Sequence, residues 1–205
     1  MTGWSRHTGL AIALDQENVD TDQLIPARFM STPRSEGYGQ FLLNDQRRDH
    51  TGALIEAHPL NLNPKTSILV MRRNFGSGSS REAAVYALVD FGIRVVLAPS
   101  FGDIFASNAV NNGLLPARLP DAVIDRMIAQ LGASTAQVTI DLPSSTISIA
   151  NESVRFDLDA TWRQKLVNGW DDIDLTQVHA DAIAEYRALR AQQKPWIFSA
   201  QETAG

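Results

Sequence analysis

TSILVMRRNFGSGSSREAAVYALVDFG, residues 66–92, joins a continuous apolar run to an amphipathic run through a turn rich in glycine and serine. Thr66–Met71 is a largely apolar run rich in β-branched residues, the pattern of a strand covered on both faces. Beyond the turn, Ala84, Ala87, Leu88 and Phe91 recur at i, i+3, i+4 and i+7, which predicts a helix with one buried face, closed by Gly92. Working outward, Ile93–Ala98 reads as a second buried strand, Pro99-Ser100 opens a helix reaching Asn111, and Leu114–Leu119 supplies a third strand. Strands and helices alternating at this spacing predict βαβ units with right-handed crossovers. Thr8–Leu14 reads as a preceding strand, and Pro120-Asp121 opens a further helix carrying Val123, Ile124, Met127, Ile128 and Leu131. Period-two alternation across 136–157 predicts antiparallel strands turning at Pro143-Ser144-Ser145 and at Asn151-Glu152. From Asp159 two helices follow, broken at Asn168-Gly169 and ended by Pro195. The predicted fold class is α/β: a single domain over 1–205, with a partly parallel sheet and flanking helices in a core at 8–157. A helical C-terminal extension covers 158–194.

Composition narrows the function. The chain has 205 residues, 44% of them hydrophobic, and a net charge of −5, with no basic cluster longer than the pairs Arg47-Arg48 and Arg72-Arg73. That argues against nucleic acid or an anionic membrane as partner, while leaving room for a locally positive pocket. The absence of cysteine removes disulfides, thiolate metal ligands and a cysteine nucleophile. His7, His50, His58 and His179 are too scattered for a self-contained metal site. No basic segment leads into an apolar one at the N-terminus, and no apolar run approaches the roughly 20 residues of a membrane helix, so a cytoplasmic protein is expected.

The turn between strand and helix can be tested against known anion cradles. No Gly-Lys-Ser/Thr follows it, Arg81 stands where a dinucleotide fingerprint has its third glycine, and Gly78-Ser79-Ser80-Arg81-Glu82 lacks the closing glycine of a nucleophile elbow. What remains is a small-anion cradle, with free N–H groups and a helix dipole attracting negative charge. Arg81 offers a bidentate fork for a carboxylate, and a cation there opposes the dipole unless an anion is bound. The competing reading is purely local: Ser79 and Glu82 match a capping box, which needs no function. Residues 30–52 read as a long, mobile loop around Phe41-Leu42-Leu43, and Asp20 and Asp22 as residues that structure a turn through Asx-type bonds.

Four segments together resemble a known family. NVDTDQLIP (18–26), NFGSGSSRE (74–82), APSFGDIF (98–105) and NNGLLP (111–116) are similar, in order and spacing, to small subunits of 3-isopropylmalate dehydratase, the swivelling β/β/α domain of the aconitase superfamily. The resemblance runs from about Thr8 to about Arg187. It implies a hydro-lyase subunit of leucine biosynthesis, active only with a large subunit in a heterodimer or higher heteromer. That enzyme interconverts 2- and 3-isopropylmalate through 2-isopropylmaleate. It further implies no cofactor bound by this chain, with a 4Fe–4S cluster on cysteines of the partner large subunit. By the same resemblance Ser79 acts as the base, while Gly78, Ser80 and Arg81 hold a small dicarboxylate substrate. Met30–Gly39 becomes the specificity loop, with Arg34 as a second carboxylate ligand. Relatives commonly read NFGCGSSREH, whereas this chain has Ser77 and Ala83 at the cysteine and histidine positions. Two alternatives stand beside this reading: a related dehydratase acting on a methylmalate- or citraconate-type dicarboxylate, and a non-catalytic anion-binding module.

Overall fold

A computed structural model describes residues 2–150 and 152–197. Strand β1 (Arg6–Leu14) lies at the centre of the sheet and is followed by a long excursion before its partner. The excursion holds α1 (Thr21–Leu24), three short 3-10 turns between Ala27 and Phe41, α2 (Asn44–Arg47) and α3 (Pro59–Leu62). Then come β2 (Thr66–Met71), α4 (Glu82–Phe91), β3 (Val95–Ala98), α5 (Asp103–Asn111), β4 (Leu115–Arg118) and α6 (Asp121–Leu131). β5 (Ala136–Asp141), β6 (Thr146–Ile149) and β7 (Glu152–Arg155) form an antiparallel meander, and α7 (Ala160–Asn168) follows.

The seven strands run in the order β4-β3-β2-β1-β5-β6-β7, parallel from β4 to β1 and antiparallel beyond. Alternation along each parallel strand divides the core in two, because successive side chains point to opposite faces. Leu69, Met71, Val96 and Ala98 face α4 and α5, where Ala84, Ala87, Leu88, Phe105 and Ala109 are buried. Ile68, Val70, Val95 and Leu97 face α6 and its Ile124, Met127 and Leu131. All three parallel connections therefore pack on one face, and their first turns gather at the C-terminal ends of β1, β2 and β3.

Residues 30–52, expected as a mobile loop, are instead folded onto α4. The Tyr38 N–H donates to Asp90 Oδ2 at 3.0 Å, and Gly39 lies so close to α4 that a Cβ there would meet the Phe91 nitrogen at 2.5 Å. Arg47 is buried, donating to the Leu42 carbonyl at 3.0 Å and to Asn61 Oδ1 at 2.9 Å, with its guanidinium over Phe91. A buried arginine with its donors used by backbone and amide oxygens is what holds an otherwise irregular segment in place.

The described residues divide into two compact units, 2–170 and 171–197. α7 belongs to the first: Leu166 is buried, the Trp4 N–H donates to its carbonyl at 3.0 Å, and Lys165 donates to Asn111 Oδ1 at 2.8 Å. The second contains α8 (Asp172–Gln177), opened by a capping box of Asp171 and Asp174, and α9 (Ala180–Gln193). The tail thus has three helices where two were expected. Gly169, left-handed at φ +74°, ends α7 as anticipated, whereas the break at His179 carries no glycine or proline. Of the turn expected at Asn151-Glu152, Asn151 lies outside the described residues and Glu152 already belongs to β7.

Candidate active site

The serine turn is held from three sides by the other sequence motifs. On the β1 side, Asn18 N–H donates to the Arg73 carbonyl at 3.0 Å, Gly76 N–H to the Val19 carbonyl at 2.7 Å, and Thr21 N–H to the Ser77 carbonyl at 3.0 Å. On the β3 side, Phe75 N–H donates to the Ser100 carbonyl at 3.1 Å, Gly102 N–H to the Phe75 carbonyl at 2.9 Å, and Asn74 N–H to Ser100 Oγ at 2.8 Å. From the end of α5, Asn112 Nδ2 donates to Glu82 Oε1 at 2.9 Å. The glycines follow from this crowding. A Cβ on Gly76, where φ is +71°, would lie 2.2 Å from the Phe105 ring, and one on Gly102 would lie 2.5 Å from the Gly76 oxygen.

The capping-box reading of Ser79 and Glu82 is overturned. Arg81, extended at φ −92° and ψ 106°, is the residue flanking α4, and no side chain caps that helix. With Gly78 at φ +91°, the chain leaves the turn two residues before the helix begins, so the Ser79 hydroxyl is out of place as a cap. Its carbonyl is engaged instead, accepting from the Arg81 N–H at 2.7 Å and from Thr21 Oγ1 at 3.1 Å. Ser79 and Ser80 are exposed, and neither hydroxyl has a partner among the described residues. The first N–H groups of α4 consequently remain open to an anion, at the positive end of its dipole.

Arg81 is half-buried and paired with the Asp22 carboxylate through its Nη1. The charge placed against the helix dipole therefore already has a counter-ion, supplied from α1 and 59 positions away in sequence. Sequence reasoning missed this because the pair is tertiary. A guanidinium carries five N–H donors in a fork, so Asp22 leaves others available. Asp20 does structure its turn, accepting from the Gln23 N–H at 2.8 Å while Gln23 Oε1 accepts from the Asp20 N–H.

Arg34, in the 3-10 turn Arg34–Glu36, lies against α4 farther along the helix. Its guanidinium sits 3.5 Å from the centroid of the Tyr86 ring and 3.5 Å from Asp90 Oδ1. Burial and the neighbouring Glu82 carboxylate push the Tyr86 phenol above its ordinary range. At 1.5 Å rise per residue, Tyr86 is roughly 8 Å along the axis from Arg81. Ala83 is buried against the α4-side core, so this departure from the usual motif falls on the packed face of the helix. Surface concavities lined by Leu119 and Ile149, by Arg118 and Trp162, by Arg73 and Asp121, and by Arg155 and Arg163 involve other residues.

The residues present do not fit an iron–sulfur cluster. The sequence contains no cysteine, and the described residues hold no group of three His, Cys, Asp or Glu side chains able to take a metal. Among the described residues no helix is long and apolar enough to cross a membrane.

The aconitase C-terminal domain family matches residues 1–122, and the family of C-terminal domains of the 3-isopropylmalate dehydratase small subunit matches residues 172–200. The 3-isopropylmalate dehydratase small subunit of Teredinibacter turnerae is 40% identical over 98% of this chain and 99% of its own. Those of Shewanella amazonensis and Shouchella clausii are 43% and 44% identical, over 92% and 88% of this chain and 96% and 92% of theirs. A crystal structure of 3-isopropylmalate dehydratase from Methanocaldococcus jannaschii superposes with a TM-score of 0.64 at 25% identity, covering 88% of this chain and 99% of that one. The chain belongs to the family of 3-isopropylmalate dehydratase small subunits.

Proposed function

We propose that the chain is one half of a hydro-lyase that interconverts 2-isopropylmalate and 3-isopropylmalate through 2-isopropylmaleate, in the cytoplasm. The observation that carries this is the uncapped N-terminus of α4, where two exposed serines and a half-buried arginine share one laced turn. Ser79 Oγ is the group that takes the proton from the substrate carbon and returns it. Loss of the hydroxyl from the neighbouring carbon leaves the alkene, and addition in the opposite sense, with the proton delivered to the carbon that lost the hydroxyl and a hydroxyl to the carbon that lost the proton, gives the isomer. Serine is a weak base, and its alkoxide needs N–H donors and a cation in a site that excludes water.

Ser80, the Gly78 N–H, which has no partner among the described residues, and the unused edge of Arg81 hold one substrate carboxylate. Arg34, whose contact with Asp90 is long at 3.5 Å, holds the second by exchanging that contact for the substrate. A turn this exposed cannot exclude water alone, so the large partner subunit must close over it. Any 4Fe–4S cluster is held by that partner, since this chain has no cysteine. Reconstitution with the large subunit tests the reading. Ser79→Ala should assemble normally and lose turnover of isopropylmalate by at least about 100-fold, the scale of a lost acid–base group. Full activity in that variant removes Ser79 from the base role. Turnover of methylmalate in preference to isopropylmalate would reassign the substrate.

A further inference from the structure

We propose that Thr21 is a positioning residue for the reaction: its hydroxyl sets the Ser79–Ser80 peptide so that the Ser80 N–H faces outward as a donor to the substrate carboxylate. The proposal rests on the reading of Ser79–Arg81 as the reacting half-site. Thr21 is only 1% exposed, one of few buried polar side chains. The hydroxyl is not needed by its own helix, because Asp20 and Gln23 already cap α1. It donates instead to the Ser79 carbonyl at 3.1 Å, while the Thr21 N–H donates to the Ser77 carbonyl at 3.0 Å.

These two bonds clamp the turn on both sides of Gly78, its most freely rotating residue, held at φ +91°. A Cβ on Gly78 would lie 3.6 Å from Thr21 Oγ1, so the threonine runs directly beneath it. The Ser79 carbonyl also accepts from the Arg81 N–H at 2.7 Å, and the buried Thr21 hydroxyl draws it towards the body of the protein. In a planar trans peptide the carbonyl and the following N–H point in opposite directions. The Ser80 N–H is therefore turned to the exposed side, where it has no partner among the described residues. The N–H groups of Glu82 and Ala83 at the start of α4 likewise have no partner among the described residues. Without the hydroxyl, rotation at Gly78 would misdirect the Ser80 N–H and the Ser79 side chain together.

Thr21→Val keeps the shape and removes the donor, whereas Thr21→Ser keeps the donor and removes the methyl group. In the complex reconstituted with the large subunit, Thr21→Val should lower kcat/KM about tenfold, mostly through kcat, the worth of one hydrogen bond. Thr21→Ser should stay within about twofold of the parent, since its hydroxyl can still reach Ser79. A merely structural threonine would instead make activity follow melting temperature in both variants. Parental kcat/KM in Thr21→Val, or equal losses in the two variants, overturns the proposal. If Thr21→Val fails to assemble, Thr21→Ala against Thr21→Ser gives the same comparison, and equal activities again overturn it. Ser79→Ala run alongside separates the two failures. If Ser79→Ala is inactive and Thr21→Val is normal, Thr21 alone is removed from the mechanism. An active Ser79→Ala removes the half-site reading beneath it.

Discussion

Gly76→Ala should be among the most damaging single methyl additions in this protein. At φ +71° an alanine pays about 1–2 kcal/mol for the left-handed conformation. The new Cβ would also lie 2.2 Å from Phe105 Cγ and 2.6 Å from both Cδ atoms. Ordinary carbon contacts are about 3.5–4.0 Å, so the ring must retreat by roughly 1.5 Å. It has nowhere to go: Phe105 is 3% exposed, edge-on to Phe75 at 5.3 Å and stacked parallel to Phe101 at 6.5 Å. Overpacking of this kind costs about 1–3 kcal/mol, for a total of about 2–5 kcal/mol. In a chain of this length each kcal/mol lowers the melting temperature by about 2–4 °C, so a fall of about 4–20 °C is expected. Gly37→Ala is the matched control, because Gly37 has φ +82° and nothing within 4 Å of an added Cβ. Circular dichroism melts and urea titrations of both variants separate conformational strain from collision. Adding Phe105→Ala to Gly76→Ala should show coupling of the opposite sign to its cost in the parent. A Gly76→Ala variant no less stable than Gly37→Ala would refute the reasoning.

Arg47→Met should cost about 2–4 kcal/mol in urea unfolding, because it orphans the Leu42 carbonyl and Asn61 Oδ1 beneath α4. Arg47→Lys should recover no more than part of that, since a lysine lacks the fork that reaches both. Stability should also fall with acidification. Burial first, and then Arg94 for His7 or Arg47 for His58, lowers both histidines below their ordinary range. The unfolded chain then binds more protons, so their contribution is complete well above the ordinary histidine pKa of about 6.5 and is lost as pH falls through it. Urea midpoints from pH 8 to pH 5 should show this, with a shallower slope in a His7→Gln/His58→Gln variant. Arg73→Ala should leave the melting temperature within about 1 °C of the parent, because its pair with Asp121 is solvent-exposed on both sides.

Much of the sheet is legible because β2 and β3 are buried on both faces and their composition reports it directly. Thr66–Met71 is bounded in the structure where the apolar run begins and ends. The site is less legible, and each miss has a tertiary cause. The start of α4 was hidden because Ser79-x-x-Glu82 satisfies a local rule that an extended Arg81 then breaks. The pairing of Arg81 was hidden because Asp22 comes from another strand connection. Residues 30–52 look unstructured because their order comes from Arg47, Tyr38 and the back of α4 rather than from periodicity. By contrast, the glycines of NFGSGSS and PSFGD were informative: Gly76 and Gly102 have no space for a side chain.

The parallel pairing of β1 with β2 has a consequence for how such a site can change. The 15–65 excursion is closed at its base by the β1–β2 ladder and by the bonds from Asn18, Val19 and Thr21 to the serine turn. Loop-closure entropy grows only with the logarithm of length, so doubling such a segment adds about 0.6 kcal/mol. Beyond α1, then, length is a cheap variable only where the excursion is exposed. Its exposed turns, such as Asp49–Ala53, can be lengthened at little thermodynamic cost, whereas Tyr38, Leu42, Leu43, Arg47 and Leu60 tie the remainder to the core. The surface of the excursion can therefore drift in length while the bonds that lace the serine turn to the ends of β1 and β3 stay in place.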